Sequence, residues 1–443
     1  MQTITIMWYK LILLIVTLIT YITQAFAQVD SVRSLSDCLE LAVANNPTLR
    51  QSALDLRTND IQYKQAKQIL IPTLNGGISH GISTGRNVDP TTNLFVEETV
   101  NSGNVNLNSG LSLLNGFRIL HDIRGRSSAR EAGKLEFDGQ INVLKLDVIT
   151  AYIQVLTAED LVTQTVQQFE VTKERLRNAE VMHREGAMAP GDYYDIKGEY
   201  SANLNTIEQN RQILNNTRTE LATLLSVPVQ YIASLRRIDI PAQMQVVDNE
   251  RLYELARMNL PQFQAWEWRK KEAESAIKSE RSGFFPSLRF DAGLTTRYSS
   301  LNSSPYTTQA RDFLGRFVSV GLNIPIFNQF TVRNRVDLAK VDLERVKYEE
   351  QIALNTLREN TAKAVFNLDI ARKNVDNLQQ QEQSYAEAFR VAQLQFDLGA
   401  TNSVIYLTAK NKLENAQNQL VIKRYEWLLQ KYINDFYSGS LDL

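Results

Sequence analysis

From Thr331 to Leu398 the sequence contains neither glycine nor proline. Nothing in this stretch interrupts a helix, and at 1.5 Å per residue such a helix is a rod roughly 100 Å long. A second stretch without glycine or proline extends from Gln140 to Glu185. Helices of globular domains are rarely so long, so the sequence predicts an extended helical protein.

Both rods end at a glycine, Gly186 or Gly399, and are followed by a second long helix. Glycine favours the left-handed conformation that closes a helix, and the returning helices are expected over residues 190 to 226 and 402 to 437. Apolar residues of the second rod recur after about ten or eleven residues, which favours nearly straight helices packed side by side. The sequence thus predicts two antiparallel helical hairpins.

Two segments that follow a proline alternate between apolar and polar residues. The alternation covers residues 74 to 82 after Pro72 and residues 288 to 294 after Pro286. This period of two indicates strands with one apolar face, and about ten residues suffice for a tilted strand that crosses a bilayer. Return strands with the same alternation follow over residues 105 to 113 and 318 to 324.

The apolar face of these strands is expected to contact lipid, and the polar face is expected to line a lumen. The residues assigned to lipid are Phe290, Leu294, Val320 and Leu322, and those assigned to the lumen are Asp291 and Asn323. Four strands from one chain cannot close a barrel, and open edges are not tolerated in lipid. Several chains must therefore pool their strands, and a trimer gives about twelve.

The chain repeats itself with an offset of about 214 residues. Pro72-Thr73-Leu74 recurs as Pro286-Ser287-Leu288, and Glu185-Gly186-Ala187 recurs as Leu398-Gly399-Ala400. The repeated order predicts two halves, residues 28 to 226 and 249 to 443, joined by a connecting segment over residues 227 to 248. Each half is expected to contain three parts in the same order. They are a helix (36 to 70; 249 to 284), a β-hairpin (74 to 114; 287 to 327) and a long helical hairpin (118 to 226; 330 to 437).

The chain passes between helix and strand at points that we call handovers, where the predicted membrane barrel joins the helical part. The residues predicted at these handovers are Pro72, Asn115, Pro286, Pro325 and Asn328.

The amino terminus has the pattern of an export signal. Lys10 precedes the apolar run LILLIVTLITYI, and Ala25-Phe26-Ala27 is a small-x-small cleavage site. The sequence predicts a signal peptide over residues 1 to 27, and the alternative is an uncleaved anchor helix. No long apolar segment is evident after it, so a membrane-spanning part would consist of strands.

The net charge and the cysteine content limit the classes of partner and the covalent links that the chain can form. The formal net charge is −1, so nothing indicates nucleic-acid binding. Cys38 is the single cysteine, which excludes an intrachain disulfide. We expect it to be a small apolar residue on a helix face rather than a lipid-anchor cysteine.

The sequence resembles the TolC-type outer membrane efflux proteins from about Leu35 to Tyr437. The resemblance rests on LSDCLELAVANNPTLRQS, ILIPTL and FFPSL and on the two helical hairpins. It implies a trimeric duct with a twelve-stranded β-barrel in the outer membrane and an α-helical barrel through the periplasm. It also implies docking to a periplasmic adaptor and an inner membrane transporter, and export of drugs, metals or proteins. No cofactor is predicted. The connecting segment becomes an equatorial belt around the helical barrel.

The resemblance makes the two helical tips the candidate sites of adaptor contact. The residues concerned are Gly186, Ala187, Pro190, Gly191, Gly399, Ala400 and Ser403. Small residues allow a partner to approach closely, whereas the alternative is that both tips are simple helix–helix turns.

Family members commonly carry acidic residues after the second tip, at the narrowest point of the duct. Ile405 and Thr408 stand at those places here. The interpretation is therefore that an acidic constriction comes from Asp192 or Asp195, with Tyr193 or Tyr406 as bulky plugs. The alternative for Asp192 is that it caps the returning helix.

No constellation of residues indicates an enzyme. Residues 81 to 85 match G-x-S-x-G, but no helix is predicted after them, as a nucleophile elbow requires. His80, His121 and His183 lack the spacing of metal ligands. The functions that remain are a transport duct and, as the alternative, a structural periplasmic coiled-coil protein or adaptor.

Overall fold

The structure is a computed structural model that describes residues 34–232, 235–240 and 248–441. The predicted signal peptide and Pro241 of the connecting segment lie outside the described residues. The chain divides into two compact units. The helical unit comprises the described parts of Met1–Ser52, Asp138–Leu260 and Asn355–Leu443, and the sheet unit comprises Ala53–Phe137 and Pro261–Leu354.

The predicted rods are confirmed as helices of 67 residues each, and each returning helix has 36 residues. The helices are α1 Leu35–Asn45, α2 Pro47–Gln68, α3 Arg118–Arg184, α4 Pro190–Leu225, α5 Asn249–Asn259, α6 Pro261–Arg281, α7 Tyr306–Asp312, α8 Thr331–Asp397 and α9 Ser403–Ser438. Short 3-10 turns occur at Val229–Tyr231 and Ser282–Phe284.

The helices ahead of the strands are not continuous, contrary to the prediction from sequence. Residues 36 to 70 form α1 and α2, and residues 249 to 284 form α5, α6 and a 3-10 turn. The breaks fall at Asn46 (ψ 122°) and Leu260 (ψ 121°), each of which precedes a proline. Proline drives the preceding residue out of the helical region, so both breaks follow from local sterics.

Four antiparallel strands form one open sheet in their order along the chain, which confirms the predicted strand number. Two short strands, β2 Asn87–Val88 and β3 Phe95–Val96, pair separately in the first loop. The strands are β1 Thr73–Ser83, β4 Val100–Asn115, β5 Ser287–Ser299 and β6 Gly315–Asn323. The sheet does not close on itself within the described chain, and β1 and β6 are its edges.

The strand register places the apolar residues on one face of the sheet, as the alternation predicts. Ile78 pairs with Val105, Leu107 with Leu294, and Phe290 with Val320. Directly paired residues project to the same face. This face is exposed in the single chain: Ile78 is 81% exposed and Val320 61%.

One position departs from the predicted alternation. The register between β4 and β5 shifts between Ser112 and Leu114, so that Leu114, rather than Leu113, pairs with Leu288. A β-bulge of this kind inserts one residue and reverses the faces beyond it. Leu113 therefore does not continue the apolar row.

The two loops between strands contain secondary structure of their own. The first contains a two-stranded ribbon, β2 Asn87–Val88 and β3 Phe95–Val96. The second contains α7. The side chain of Gln309 is 1% exposed, and its amide nitrogen donates to the carbonyl oxygens of Ser299, Asn302 and Ser304. One buried amide thus organises the second loop.

Cys38 lies in the core of the helical unit and is fully buried. Burial raises the pKa of its thiol to about 12 because the charged thiolate is poorly solvated there. This environment matches the expectation of a small apolar residue on a helix face. The hydroxyl of the fully buried Tyr152 donates to the carbonyl oxygen of Arg236 at 2.6 Å, which fixes part of the connecting segment on α3.

The expectation that no further long apolar segment follows the signal needs correction. Among the described helices, α3 contains a stretch long and apolar enough to cross a membrane by length and composition. Half of that stretch is buried within the fold, so burial accounts for part of its apolar character.

Candidate functional site

The two tips have the same backbone geometry. Gly186 and Gly399 both have φ of +71°, which confirms the predicted left-handed stops. The amide of Ala187 donates to the carbonyl oxygen of Met182 at 2.8 Å, and that of Ala400 donates to Gln395 at 2.8 Å. Both helices therefore end in the same hydrogen-bonded turn.

The predicted adaptor-contact residues are mostly exposed. Gly186, Ala187, Pro190, Gly191, Gly399 and Ala400 are all exposed in the single chain. Ser403 differs, because it is 1% exposed and contacts the first hairpin. The tips therefore offer small exposed residues on both turns, while Ser403 acts between the hairpins.

Asp192 and Asp195 both bond to Ser403, the first residue of α9. Asp192 accepts from the Ser403 backbone amide at 2.8 Å, and Asp195 accepts from the Ser403 hydroxyl at 2.7 Å. The N-cap of α4 is Ala189, which makes no side-chain cap bond. Asp192 therefore caps α9 of the other hairpin, not the start of its own helix as the capping alternative supposed. A carboxylate is stabilised there because helix N-termini carry partial positive charge.

Tyr406 is 1% exposed and packs between helices. Its ring stacks on Phe396 at 5.0 Å between centroids, and the guanidinium carbon of Arg175 lies 5.0 Å from the ring centroid. Arg175 also forms an ion pair with Asp397. Tyr406 therefore holds the second tip against α3 in this conformation, rather than standing free at a mouth.

The first tip repeats this ring stack with different chemistry. His183 and Tyr193 stack at 4.6 Å with an interplanar angle of 6°, in the places that Phe396 and Tyr406 take in the second tip. Tyr194, which the sequence analysis did not single out, is 62% exposed beside them. Tyr194 is therefore the more exposed ring at the first tip.

The handovers in the sheet unit are also duplicated. Gly116-Phe117 and Gln329-Phe330 are successive residues with φ between +53° and +65°. Three of these four residues are not glycine, so the turn is sterically costly. A Cβ on Gly116 would lie 2.5 Å from the carbonyl oxygen of Ser282, which requires glycine there.

The predicted handover residues flank these turns. Asn115 ends β4 and its side chain accepts from the amide of Ile119 at 3.4 Å. The carbonyl oxygen of Asn328 accepts from the amide of Thr331 at 2.9 Å. Pro72 and Pro286 precede β1 and β5, and Pro325 follows β6.

The structure does not form a catalytic or metal site from the G-x-S-x-G segment or from the three histidines. Residues 81 to 83 end β1 and lead into the ribbon strand β2, so no helix follows to form a nucleophile elbow. His80 stacks with Tyr298 in the sheet, whereas His121 and His183 lie on α3. No group of three or more His, Cys, Asp or Glu side chains suited to a metal ion occurs among the described residues.

The sequence matches the Outer membrane efflux protein family over residues 38–227 and 252–431. It is 24% identical over 424 residues to the outer membrane protein TolC of Escherichia coli (strain K12), covering 92% of this chain and 82% of that protein. It is 21% identical over 409 residues to the outer membrane efflux protein BepC of Brucella suis biovar 1 (strain 1330), covering 90% and 84%.

Solved structures share the fold. The outer membrane channel CmeC of Campylobacter jejuni matches with a TM-score of 0.81 at 17% identity, covering 92% of this chain and 86% of that one. CusC matches with a TM-score of 0.78 at 17% identity, and the match covers 93% of this chain and 92% of the CusC chain. The family consists of channel-forming efflux proteins and not of enzymes. The chain therefore belongs to the outer membrane efflux protein family and is a transport protein of the outer membrane that extends into the periplasm.

Proposed function

We propose that the protein is the outer membrane exit duct of a tripartite efflux or type I secretion system. The observation that carries this proposal is the open four-stranded sheet, one face of which exposes an apolar row. Such a face is stable only when lipid covers it, and open edges are not tolerated in lipid. Pairing the β6 edge of one copy with the β1 edge of the next in a homotrimer gives a closed barrel of about twelve strands.

A neighbouring copy would also cover part of α8. Leu338, Val341, Tyr348 and Ile352 recur at helical spacing and are each between 53% and 66% exposed in the single chain. A stripe of this kind on one helix face favours packing against another helix. The helices of three copies would then form the α-helical barrel in the periplasm.

The exposed glycine turns are the proposed contact with a periplasmic adaptor, which links the duct to an inner membrane transporter. A Cβ placed on Gly186, Gly191 or Gly399 would meet nothing within 4 Å in the single chain. Open space and small residues suit the close approach of partner helices. A structural coiled-coil protein or an adaptor would leave the amphipathic sheet without a role.

Membrane fractionation tests the duct proposal. We expect the protein in the outer membrane fraction, as a trimer in mild detergent that dissociates to monomers on heating. The reason is that the two sheet edges are satisfied only in the assembly. Recovery of the protein as a soluble periplasmic monomer would rule the proposal out.

The acidic pair at the first tip is the proposed constriction, and its charge can be separated from its capping role. In Asp192→Asn with Asp195→Asn, the amide oxygens still accept from Ser403, but two negative charges are lost per subunit. We expect reduced cation selectivity and weaker divalent block in planar bilayers, because a narrow ring of charge concentrates counterions.

Alanine at the same two positions removes the hydrogen bonds as well as the charge. We expect this variant to show the same loss of selectivity together with a higher conductance, because the tie between the hairpins is also lost. If asparagine leaves selectivity and divalent block unchanged, the mouth is not acidic and Asp192 serves only to cap α9.

A further inference from the structure

Lys410 is a charged residue in the core of the helical unit. Its side chain is 3% exposed, and its Nζ lies 2.9 Å from Glu199 Oε1 on α4 and 2.9 Å from Glu414 Oε1 on α9. The two glutamate side chains are 14% and 17% exposed. These three residues are called the Lys410 cluster below. Its bond to Glu199 joins the first helical hairpin to the second.

The cluster contains one positive and two negative groups, so its fully ionised form has an excess negative charge. Among the described residues, Lys410 is the cation that acts on Glu414, and the other charged group that does so is Glu199. α3 faces the cluster with the uncharged Thr165 and Gln168, and Glu382 on α8 accepts from Gln417 at 3.3 Å. The excess negative charge must therefore either remain in this mostly buried environment or be neutralised by a bound proton.

A cleft of about 320 Å³ adjoins the cluster and connects it with solvent. α3, α4 and α9 line it, and its lining is polar except for Ala202. The side-chain oxygen of Asn418, which lines the cleft, is buried without a hydrogen-bond partner among the described atoms. Water can therefore reach the carboxylates and deliver a proton.

Burial raises the pKa of Glu414 above its usual value of 4.5, although Lys410 opposes this effect. Burial alone would lower the pKa of Lys410, but Glu414 and Glu199 outweigh it and raise that pKa. The proton that neutralises the excess charge therefore binds to a carboxylate, while Lys410 stays charged.

The first helical hairpin has the same fold without a buried lysine cluster at the equivalent positions. Lys197 precedes Lys410 by the repeat offset of about 213 residues. Lys197 is exposed, and Ser201 stands where the repeat places Glu414. The buried cluster is thus specific to the contact between α4 and α9.

We propose that the Lys410 cluster is a proton-binding site through which periplasmic pH sets how tightly α4 and α9 pack above the tips. Glu199 lies nine residues into α4 from Pro190, which places the cluster about 13 Å from the tip. When Glu414 is protonated, Glu199 has Lys410 to itself and the two hairpins pack more tightly. When Glu414 is ionised, two carboxylates compete for one ammonium and repel each other, which loosens the contact.

The direction of the pH response follows from the sign of the shift. A carboxyl group whose pKa is raised in the folded protein stabilises the fold at pH values below its ordinary pKa. This contribution is lost as the pH rises through the pKa of the folded state. The contact between α4 and α9 is therefore tightest at acid pH. This part of the inference concerns the protein in any assembly, whereas its effect on conductance rests on the proposed duct.

Hydrogen exchange of the detergent-solubilised protein tests the site directly, with wild type compared with Glu414→Gln between neutral pH and pH 4.5. After correction for the intrinsic exchange rate, wild-type amides in residues 196–206 and 407–418 are expected to become severalfold better protected as pH falls. Glu414→Gln mimics the protonated state, so its amides are expected to be protected at both pH values. Glu426→Gln, on α9 and 39% exposed, is the control and is expected to respond like wild type.

Single-channel recording over the same pH range tests the consequence for the pore. The conductance of the wild-type pore is expected to decrease as the pH is lowered. The conductance of Glu414→Gln is expected to stay low at every pH. The inference is overturned if Glu414→Gln retains the wild-type pH response of exchange, or if wild type shows none. A protein that forms no pore contradicts the proposed duct, and the exchange experiment still decides the proton site.

Discussion

Lys410→Met is expected to destabilise the helical unit by about 3 to 5 kcal/mol. Methionine fills much of the volume of lysine, so the loss comes from charge rather than from a cavity. Glu199 and Glu414 are left without their cation at 14% and 17% exposure, where the adjoining cleft supplies water but no counter-charge. The measurement is the denaturant concentration at which the helical hairpins unfold in the detergent-solubilised protein.

Matched variants separate charge from packing in this prediction. Lys412→Met changes an exposed lysine on the same helix and is expected to alter stability by about 0.5 kcal/mol or less. Adding Glu199→Gln and Glu414→Gln to Lys410→Met is expected to restore most of the lost stability, because no buried charge then remains. A stability of Lys410→Met within about 1 kcal/mol of wild type would show that the cluster is too well solvated to matter.

The second large effect is expected in the sheet. Val320→Arg places a charge on the apolar face, opposite Phe290, and is expected to cost about 2 to 4 kcal/mol if that face contacts the middle of the bilayer. Ser319→Arg is the control, because Ser319 is the next residue along β6 and pairs with Asp291 on the polar face. The yield of heat-dissociable trimer in outer membranes should fall sharply for Val320→Arg only. Equal losses for both variants would mean that the apolar face does not meet lipid.

The long elements of the fold could be predicted because their signals are local. The absence of glycine and proline after Thr331 marked α8, and the period of two after Pro286 marked β5. The breaks at Asn46 and Leu260 also have a local cause, since each precedes a proline, but the prediction from sequence ran one helix through each of these positions. The bulge near Leu113 was not predictable, because Leu113 and Leu114 are equally suited to the apolar face.

The contacts at the tips depend on distant parts of the chain. Asp192 meets the Ser403 amide across a separation of 211 residues, and no local pattern specifies that partner. Tyr406 has the spacing of a core residue relative to Leu413 and Leu420, which was a better guide to its burial than the resemblance to the family. Lys410 interrupts the same apolar stripe, so a charged residue at a core position was the signal for the cluster.

The burial of Cys38 has a practical consequence for labelling chemistry. With its pKa raised to about 12, the thiol is almost wholly protonated at neutral pH, and the thiolate is the form that reacts with maleimides. The folded chain therefore offers no reactive native thiol, since Cys38 is its single cysteine. A cysteine introduced at Val404, which is 61% exposed at the second tip, can carry a fluorophore or spin label in an otherwise unaltered protein.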